Sequence, residues 1–361
     1  MRSGDGESVS VRESSYTREE FIRRMLTKRE REHDRGEYCS LATNGTLHFT
    51  QDEIVRHFQD ALLGWYRLNR RELPWRQTKS PYRKFLAEMM LQQTQVERVI
   101  PKYNAFIERF PTIRRLAAAP TAEVIRLWAG LGYNRRAVHL HRAAQAVVQE
   151  HGGKFPMCLQ SLLRLPGIGP YTARALLSFL DNTQVAVVDT NVRRVLGRVL
   201  RGDLQKLLGV AGPTERQLQA LADSLVPKRQ SARWNQALMD LGSTVCTSRK
   251  PDCPRCPFSE WCQTRRTADF NDLPSLRPKS QGTFAGSRRY YRGRIVAALR
   301  DSMPGGTLNF AAIVSHVLCD DLAKPSAVWL WELAQDLERD GLVVIGGDRD
   351  KQSEATLTLP D

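Results

Sequence analysis

The chain has 361 residues and a formal net charge of +15, with 54 lysines and arginines against 39 acidic residues. This length allows two or three domains with a buried core, and no apolar stretch is typical of a membrane span or a signal peptide. These features exclude an integral membrane protein. They predict a cytoplasmic protein with reduced thiols and a polyanionic partner.

Three regions follow one another along the chain. Residues 1–50 are polar and poor in apolar side chains, which predicts a flexible, partly helical extension. From residue 51 to residue 270 the apolar residues recur at helical spacing, and strand-like alternation is almost absent. The fold class predicted for this central region is therefore all-α.

The C-terminal part is different. Residues 271–286 form a polar linker, and residues 287–361 show three helical patterns followed by the β-type runs LVVIG and ATLTLP. This order predicts a small α+β domain that resembles a winged helix. At its start lies SRRYYRGR, whose Tyr290 and Tyr291 either contact nucleic acid or anchor the domain on the helical region.

Four of the seven cysteines lie in CTSRKPDCPRCPFSEWC, with the spacing Cys-x6-Cys-x2-Cys-x5-Cys. They are Cys246, Cys253, Cys256 and Cys262. Reduced cysteines at such short spacing indicate a metal site, either a [4Fe–4S] cluster or structural zinc. Zinc knuckles usually pair two Cys-x2-Cys units, whereas only Cys253 and Cys256 are spaced in this way, which favours the cluster.

A second motif is LPGIGPYTARALLSF. Gly167 and Gly169 flank an isoleucine, and Pro170 occupies the first position of a predicted helix. A turn of this kind presents backbone N–H groups at a helix N-terminus, where a phosphate binds favourably. The same glycines would also suit a tight turn between two helices with no ligand.

This motif, together with LPWR, AEMMLQQTQ, LWAGLGYN and VVDTNVRRV, shows a resemblance to a known family. Residues 52–265 resemble the helix-hairpin-helix glycosylases of base-excision repair, and most closely the MutY-type adenine DNA glycosylases, which are related to endonuclease III. The resemblance implies a six-helix barrel joined to a [4Fe–4S] cluster domain. It also implies a monomeric, nucleoid-associated enzyme that removes adenine paired with 8-oxoguanine or guanine in double-stranded DNA.

The resemblance assigns the catalytic residues. Cleavage of an N-glycosidic bond needs a neutral acid near the base and an ionised carboxylate near the sugar. Glu88 matches the acid, Asp189 the carboxylate, and Asn191 a residue that holds Asp189. Tyr171 stands where bifunctional lyases have a Schiff-base lysine, so a monofunctional enzyme is expected.

The residues alone leave simpler interpretations of the two carboxylates open. Lys84, Glu88, Gln92 and Gln95 share one helical face, which is consistent with plain solvent-exposed surface. Asp189 precedes a predicted helix, where an aspartate commonly serves as the N-cap.

The resemblance also assigns residues that contact DNA. An enzyme that flips a nucleotide out of the duplex must fill the gap. Gln92, Gln93 and Thr94 match residues that intrude at the lesion, and Tyr133 matches an intercalating aromatic. Arg76 and Asp240 match the adenine pocket, and Gly167 and Gly169 belong to the hairpin. Asn134 departs from the second tyrosine that is common in the family.

The C-terminal region departs from the family pattern. Residues 287–361 are too short and too helical for the Nudix-like domain with which many MutY-type enzymes sense 8-oxoguanine. Two alternatives therefore stay open: a thymine or uracil glycosylase acting on T:G or U:G mismatches, and a non-catalytic DNA-binding module. The joint presence of Glu88, Asp189 and Asn191 argues against the second alternative.

Overall fold

The computed structural model describes residues 51–200, 214–267, 282–303, 305–319, 325–348, 351–352 and 354–361. The predicted extension (1–50) and most of the predicted linker (271–286) lie outside these residues. The described residues form two compact units. The first unit consists of described residues within Met1–Arg71 and Asn182–Pro278. The second consists of described residues within Glu72–Asp181 and Lys279–Asp361. The boundaries predicted from the sequence stay predictions.

Helices dominate both units, as the sequence predicts. In chain order they are α1 (Gln51–Asn69), α2 (Pro81–Leu91), α3 (Val96–Arg109), α4 (Ile113–Ala117), α5 (Thr121–Leu127), α6 (Arg135–His151), α7 (Leu159–Arg164), α8 (Pro170–Asp181), α9 (Thr190–Val199), α10 (Glu215–Ser224), α11 (Ser231–Thr244), α12 (Gln263–Thr267), α13 (Arg288–Asp301), α14 (Phe310–Leu318) and α15 (Ala327–Arg339). Two 3₁₀ turns occupy Pro74–Arg76 and Cys253–Arg255. No helix in the described part of the chain is long and apolar enough to cross a membrane.

In the first unit, α1, α9 and α11 bury a shared apolar core. The Trp234 side chain of α11 is fully buried in it. Phe58 of α1 stacks on Phe258 of the cysteine-rich segment, with ring centroids 4.1 Å apart. The cysteine-rich segment is therefore held against the helical core by aromatic packing.

In the second unit, α2 is buried on nearly all sides. Ser80 caps this helix by accepting a hydrogen bond from the Arg83 N–H, and Pro81 fills its first position, where no N–H is needed. Phe85, Met89 and Met90 have no exposed surface. Because the helix lies inside the unit, a polar residue within it is held in a low-dielectric environment.

The C-terminal part of the second unit contains a three-stranded antiparallel sheet. Its strands are β1 (Leu308–Asn309), β2 (Val344–Gly346) and β3 (Thr356–Thr358), in the order β1-β3-β2. Leu357 of β3 pairs with residues of both neighbouring strands. The order helix, strand, two helices and two strands agrees with the predicted winged-helix-like fold. The two-residue strand β1 had no signal in the sequence.

The two tyrosines at the start of α13 have different environments. Tyr291 is 1% exposed and packs edge-to-face on Trp329 of α15, so it belongs to the core of the C-terminal part. The hydroxyl of the half-buried Tyr290 accepts a hydrogen bond from Arg294. Neither tyrosine is therefore presented as an open stacking surface.

Candidate active site

Glu88 is the buried acid of the second unit, with 7% of its surface exposed. The face it shares with Lys84 and Gln92 is not a solvent-exposed surface. The Lys84 ammonium group donates to the Phe179 carbonyl, and burial lowers the pKa of Lys84. Gln95, which the sequence placed on the same face, lies beyond the end of α2 at Leu91 and is exposed. The simple surface interpretation of Glu88 is therefore wrong.

The loop that follows α2 carries Gln92, Gln93 and Thr94. The Gln92 amide donates to Thr172 Oγ1 at 3.1 Å, which ties the loop to α8. Gln93 is exposed and has a φ of +56°, in the left-handed region that costs a non-glycine residue conformational energy. The loop is thus anchored through Gln92 and presents Gln93 outward.

Arg136, which the sequence analysis did not single out, holds this loop in place. Its guanidinium donates to the carbonyls of Met89 and Met90, to Thr94 Oγ1 at 2.8 Å, and to the carbonyls of Leu131 and Gly132. Burial lowers its pKa to about 10, so Arg136 stays cationic at neutral pH. The only signal in the sequence was its spacing from Leu140 and Ala143, which puts an arginine on the apolar face of α6.

Tyr133 lies between two arginines. Its φ is +43° and its side chain is 43% exposed. The Arg136 guanidinium lies 5.8 Å from the ring centroid, and Arg289 Nη1 donates to the hydroxyl at 3.3 Å. The aromatic ring is therefore both exposed and fixed in orientation, as an intercalating residue requires.

Asn134, which stands where the related family commonly has a second tyrosine, has a structural role. Asn134 Oδ1 accepts a hydrogen bond of 2.8 Å from Arg300 of α13. Arg300 is desolvated, and burial lowers its pKa to about 10. The asparagine thus accepts a hydrogen bond from a desolvated cation of the C-terminal part, which a tyrosine ring at this position would not do in the same geometry.

The glycines of the hairpin have different roles. Gly167 has a φ of +75°, and a Cβ on it would lie 2.6 Å from the Cβ of His139. Gly169 would have no atom within 4 Å of its Cβ. Packing therefore requires glycine at residue 167, whereas Gly169 is exposed and leaves room for a ligand. Half-buried Tyr171 is the second residue of α8, which begins at Pro170 as predicted, and half-buried Arg76 ends the first 3₁₀ turn.

Asp189 and Asn191 belong to the first unit, at the start of α9. Asp189 is the N-cap: Oδ1 accepts from the Val192 N–H at 2.7 Å, and Oδ2 accepts from the Asn191 amide at 3.1 Å. Burial raises the pKa of Asp189, and this effect exceeds the opposing effects of these hydrogen bonds and of Arg194. The carboxyl is thus well oriented but costly to ionise in the absence of a positive charge.

Arg194 connects Asn191 with the cysteine-rich segment. Arg194 Nη2 donates to Asn191 Oδ1 at 2.8 Å and to the Gly242 carbonyl at 2.6 Å, and Nε donates to the Cys246 carbonyl at 2.8 Å. The fully buried Asp240, by contrast, accepts from Arg71 Nε at 2.6 Å. This ion pair gives Asp240 a structural role in the first unit.

The four cysteines of the motif line one cavity, and all four are free thiols. The buried Arg198 holds the segment by donating to the carbonyls of Thr247 and Ser248 and to Cys246 Sγ at 3.7 Å. Within the described ranges no three His, Cys, Asp or Glu side chains are already gathered as a metal site. The four cysteines nevertheless fit a metal group that takes four thiolate ligands, because all of them line the same cavity. Cys158 and Cys319, the two described cysteines outside the motif, are exposed.

Comparison with known proteins identifies the fold. Residues 86–238 match the model of the HhH-GPD superfamily base excision DNA repair protein. A thermostable thymine-DNA glycosylase superposes with a TM-score of 0.55 and 28% identity, over 60% of this chain and 98% of that one. Endonuclease III, in a trapped covalent intermediate with DNA, superposes with a TM-score of 0.51 and 20% identity, over 61% of this chain and 99% of that one. The fold is that of a base excision repair protein with a helix-hairpin-helix motif.

Sequence relatives define the family more closely. The adenine DNA glycosylase of Mycolicibacterium smegmatis is 41% identical over 287 residues, which is 79% of this chain and 90% of that protein. The adenine DNA glycosylase of Mycobacterium tuberculosis (strain H37Rv) is 40% identical over 249 residues, or 68% of this chain and 79% of that protein. The chain belongs to the adenine DNA glycosylase family.

Proposed function

We propose that this chain is a monomeric, monofunctional glycosylase that excises adenine paired with 8-oxoguanine or guanine from double-stranded DNA. The observation that carries the proposal is the buried Glu88, which lies in the last turn of the buried helix α2, four residues before Gln92. The same chain is 41% identical to an adenine DNA glycosylase over 90% of that protein's length.

In this proposal Glu88 donates a proton to a ring nitrogen of adenine, which makes the base a better leaving group. The carboxylate of Asp189 stabilises the positive charge that develops on the sugar, and Asn191 and the Val192 N–H keep that carboxylate oriented. Burial of Asp189 serves the reaction, because a desolvated carboxylate interacts more strongly with a developing cation than a hydrated one does. Water completes the hydrolysis.

Other residues position the DNA. Gln92, Gln93 and Thr94 would fill the space left by the flipped adenine, and the exposed ring of Tyr133 would stack on a neighbouring base. The exposed Gly169 would let a backbone phosphate approach the N-terminus of α8. Tyr171 cannot form a Schiff base, so the abasic product should leave without strand cleavage.

Cys246, Cys253, Cys256 and Cys262 would hold a [4Fe–4S] cluster, which serves as a structural element of the first unit. Arg249, Lys250 and Arg255 are exposed in the same segment and would contact the DNA backbone. Iron and sulfide analysis of the purified protein tests the cluster. Cys256→Ser should lose most of the iron, and Cys158→Ser, an exposed cysteine outside the motif, should keep it. Stoichiometric zinc without sulfide would contradict the cluster.

The proposed function is tested by single-turnover base release from four duplexes, with A opposite 8-oxoguanine, A opposite G, T opposite G and U opposite G. We expect release of adenine from the first two duplexes and no strand cleavage. Glu88→Gln should lose base release by about a hundredfold or more while it still binds the duplex. Release of thymine or uracil with adenine untouched would overturn the proposed substrate. Binding without release of any base would overturn catalysis altogether.

A further inference from the structure

The second unit contains an open cavity of about 820 Å³, which has no role in the proposed cleavage of the glycosidic bond. One side is formed by the loop of Gln92 and Gln93 and by the loop that carries Tyr133. The other side comes from the C-terminal part, through Phe284 and Arg289. Glu88, Tyr171 and Arg76 do not line it.

The backbone is strained on one side of this cavity. Four non-glycine residues of the described chain have a positive φ, and two of them, Gln93 and Tyr133, line the cavity. Such conformations are unfavourable for residues with a side chain and concentrate at binding and catalytic sites. Two such residues on one wall are consistent with a binding site at this cavity.

The lining combines exposed aromatic rings with arginines. Tyr133 is 43% exposed and Phe284 is 60% exposed. The one acidic residue among the described lining residues, Asp340, is engaged by Arg292 and by Arg135. Arg289 extends instead to the Tyr133 hydroxyl, at 3.3 Å. Aromatic faces beside a guanidinium fork are the chemistry that binds an unpaired nucleotide.

The C-terminal part is fastened to the loops that form the other side. Buried Arg300 donates to Asn134, the residue after Tyr133. Arg126 of α5 donates to the Ser302 and Met303 carbonyls. Together with the hydrogen bond from Arg289 to the Tyr133 hydroxyl, these contacts hold Arg289 in a defined position relative to Tyr133.

A winged helix usually presents its third helix to nucleic acid. Here that helix is α15, which carries Glu332, Asp336 and Glu338 and only one basic residue, Arg339. An acidic helix is repelled by phosphate. Helix α13, with Arg289 facing the cavity, is therefore the element of the C-terminal part that suits DNA.

We propose that this cavity receives the unpaired nucleotide opposite the excised adenine, and that Arg289 is the residue that recognises its base. The inference rests on the proposed function, because flipping the adenine leaves such a nucleotide without a partner. The residues assigned to insertion, Gln92 to Thr94 and Tyr133, form the border of the cavity on the side of the helical body. Guanine and 8-oxoguanine offer carbonyl acceptors that a guanidinium can bind.

The test measures binding to duplexes with a non-hydrolysable abasic analogue in place of the adenosine, so that no reaction is needed. The opposite position carries 8-oxoguanine, guanine or a second abasic analogue. Arg289→Ala should lose about tenfold in affinity for the two purine duplexes, and less than about threefold for the duplex without an opposite base. Arg288→Ala is the matched control. Arg288 pairs with Asp336 and lies over Trp329, outside the cavity.

An equal loss of affinity for all three duplexes would indicate that Arg289 contacts a backbone phosphate, and it would overturn recognition of the base. Affinities of Arg289→Ala equal to those of Arg288→Ala would also overturn the proposal. Melting temperatures verify the fold, and Arg289→Gln replaces the alanine variant if that variant unfolds. Adenine release by the unaltered protein is measured separately. Its absence would refute the proposed function, whereas unselective binding loss in Arg289→Ala would refute only this inference.

Discussion

Gly242 of α11 lies so close to Asn191 that a Cβ at residue 242 would be 2.6 Å from the Asn191 Cβ. The Gly242 carbonyl and Asn191 Oδ1 also accept hydrogen bonds from the same guanidinium, that of Arg194. The position of Asn191, and through it the Asp189 carboxylate, therefore depends on the absence of a side chain at residue 242.

Gly242→Ala should displace Asn191 and destabilise the protein by about 1–3 kcal/mol, because the cost of overpacking exceeds the gain in helix propensity. We expect a lower melting temperature and slower adenine release with DNA binding retained. Gly64→Ala is the matched control, since the nearest atom to its Cβ would be the flexible end of Arg67 at 3.8 Å. This second variant should be as stable as the parent or more so. An unchanged rate in Gly242→Ala would contradict the tight placement of Asn191.

The two hairpin glycines offer a second matched pair. Gly167→Ala must place a Cβ at a φ of +75° and against His139, so a loss of about 1–3 kcal/mol is expected. Gly169→Ala meets no atom and should leave the melting temperature unchanged while it weakens DNA binding several-fold, since its methyl group would occupy the approach to α8. Thermal melting and duplex affinity separate the two effects. Normal DNA binding by Gly169→Ala would remove the hairpin from the interface.

The raised pKa of Asp189 predicts a pH-dependent stability. The folded protein keeps the proton of this carboxyl at pH values where the unfolded chain has lost it. The contribution of Asp189 is therefore complete below the unfolded pKa and is lost as the pH rises through the folded pKa. Asp189→Asn retains a capping side chain without the charge. Its melting temperature should exceed that of the parent by a margin that grows as the pH rises above the unfolded pKa of about 4.

The same substitution should abolish base release, because a neutral amide cannot stabilise the sugar cation. Melting curves across the pH range and single-turnover rates check both expectations. A margin that stays constant with pH would show that Asp189 ionises as readily in the folded protein as in the unfolded chain.

Arg136 joins the end of α2, the Gln92 to Thr94 loop and the Tyr133 loop through five hydrogen bonds. A lysine keeps the charge but cannot reproduce the planar fork, so Arg136→Lys should leave buried carbonyls without donors and cost about 3 kcal/mol or more. Adenine release should fall together with stability. Arg135→Lys, on the exposed neighbouring residue, should change neither property strongly. A fully active and stable Arg136→Lys would show that the loops hold their conformation without this arginine.

Some features of this protein follow from local sequence. The helical periodicity, the proline that opens α8 and the Asp189 cap each depend on residues a few positions apart, so they were correctly anticipated. The winged-helix-like order of the C-terminal part was also evident, because each helix or strand there carries its own pattern.

Other features depend on which distant residues meet. The burial of Glu88, the network around Arg136, the Arg300–Asn134 hydrogen bond and the strand β1 all arise from contacts between segments far apart in the chain. The same is true of Asp240, whose partner Arg71 precedes it by 169 residues. The sequence does not reveal whether an arginine or a carboxyl group is hydrated by solvent or hydrogen-bonded to a buried partner. Only the tertiary structure decides between the two, because the cost of desolvation depends on what surrounds the group.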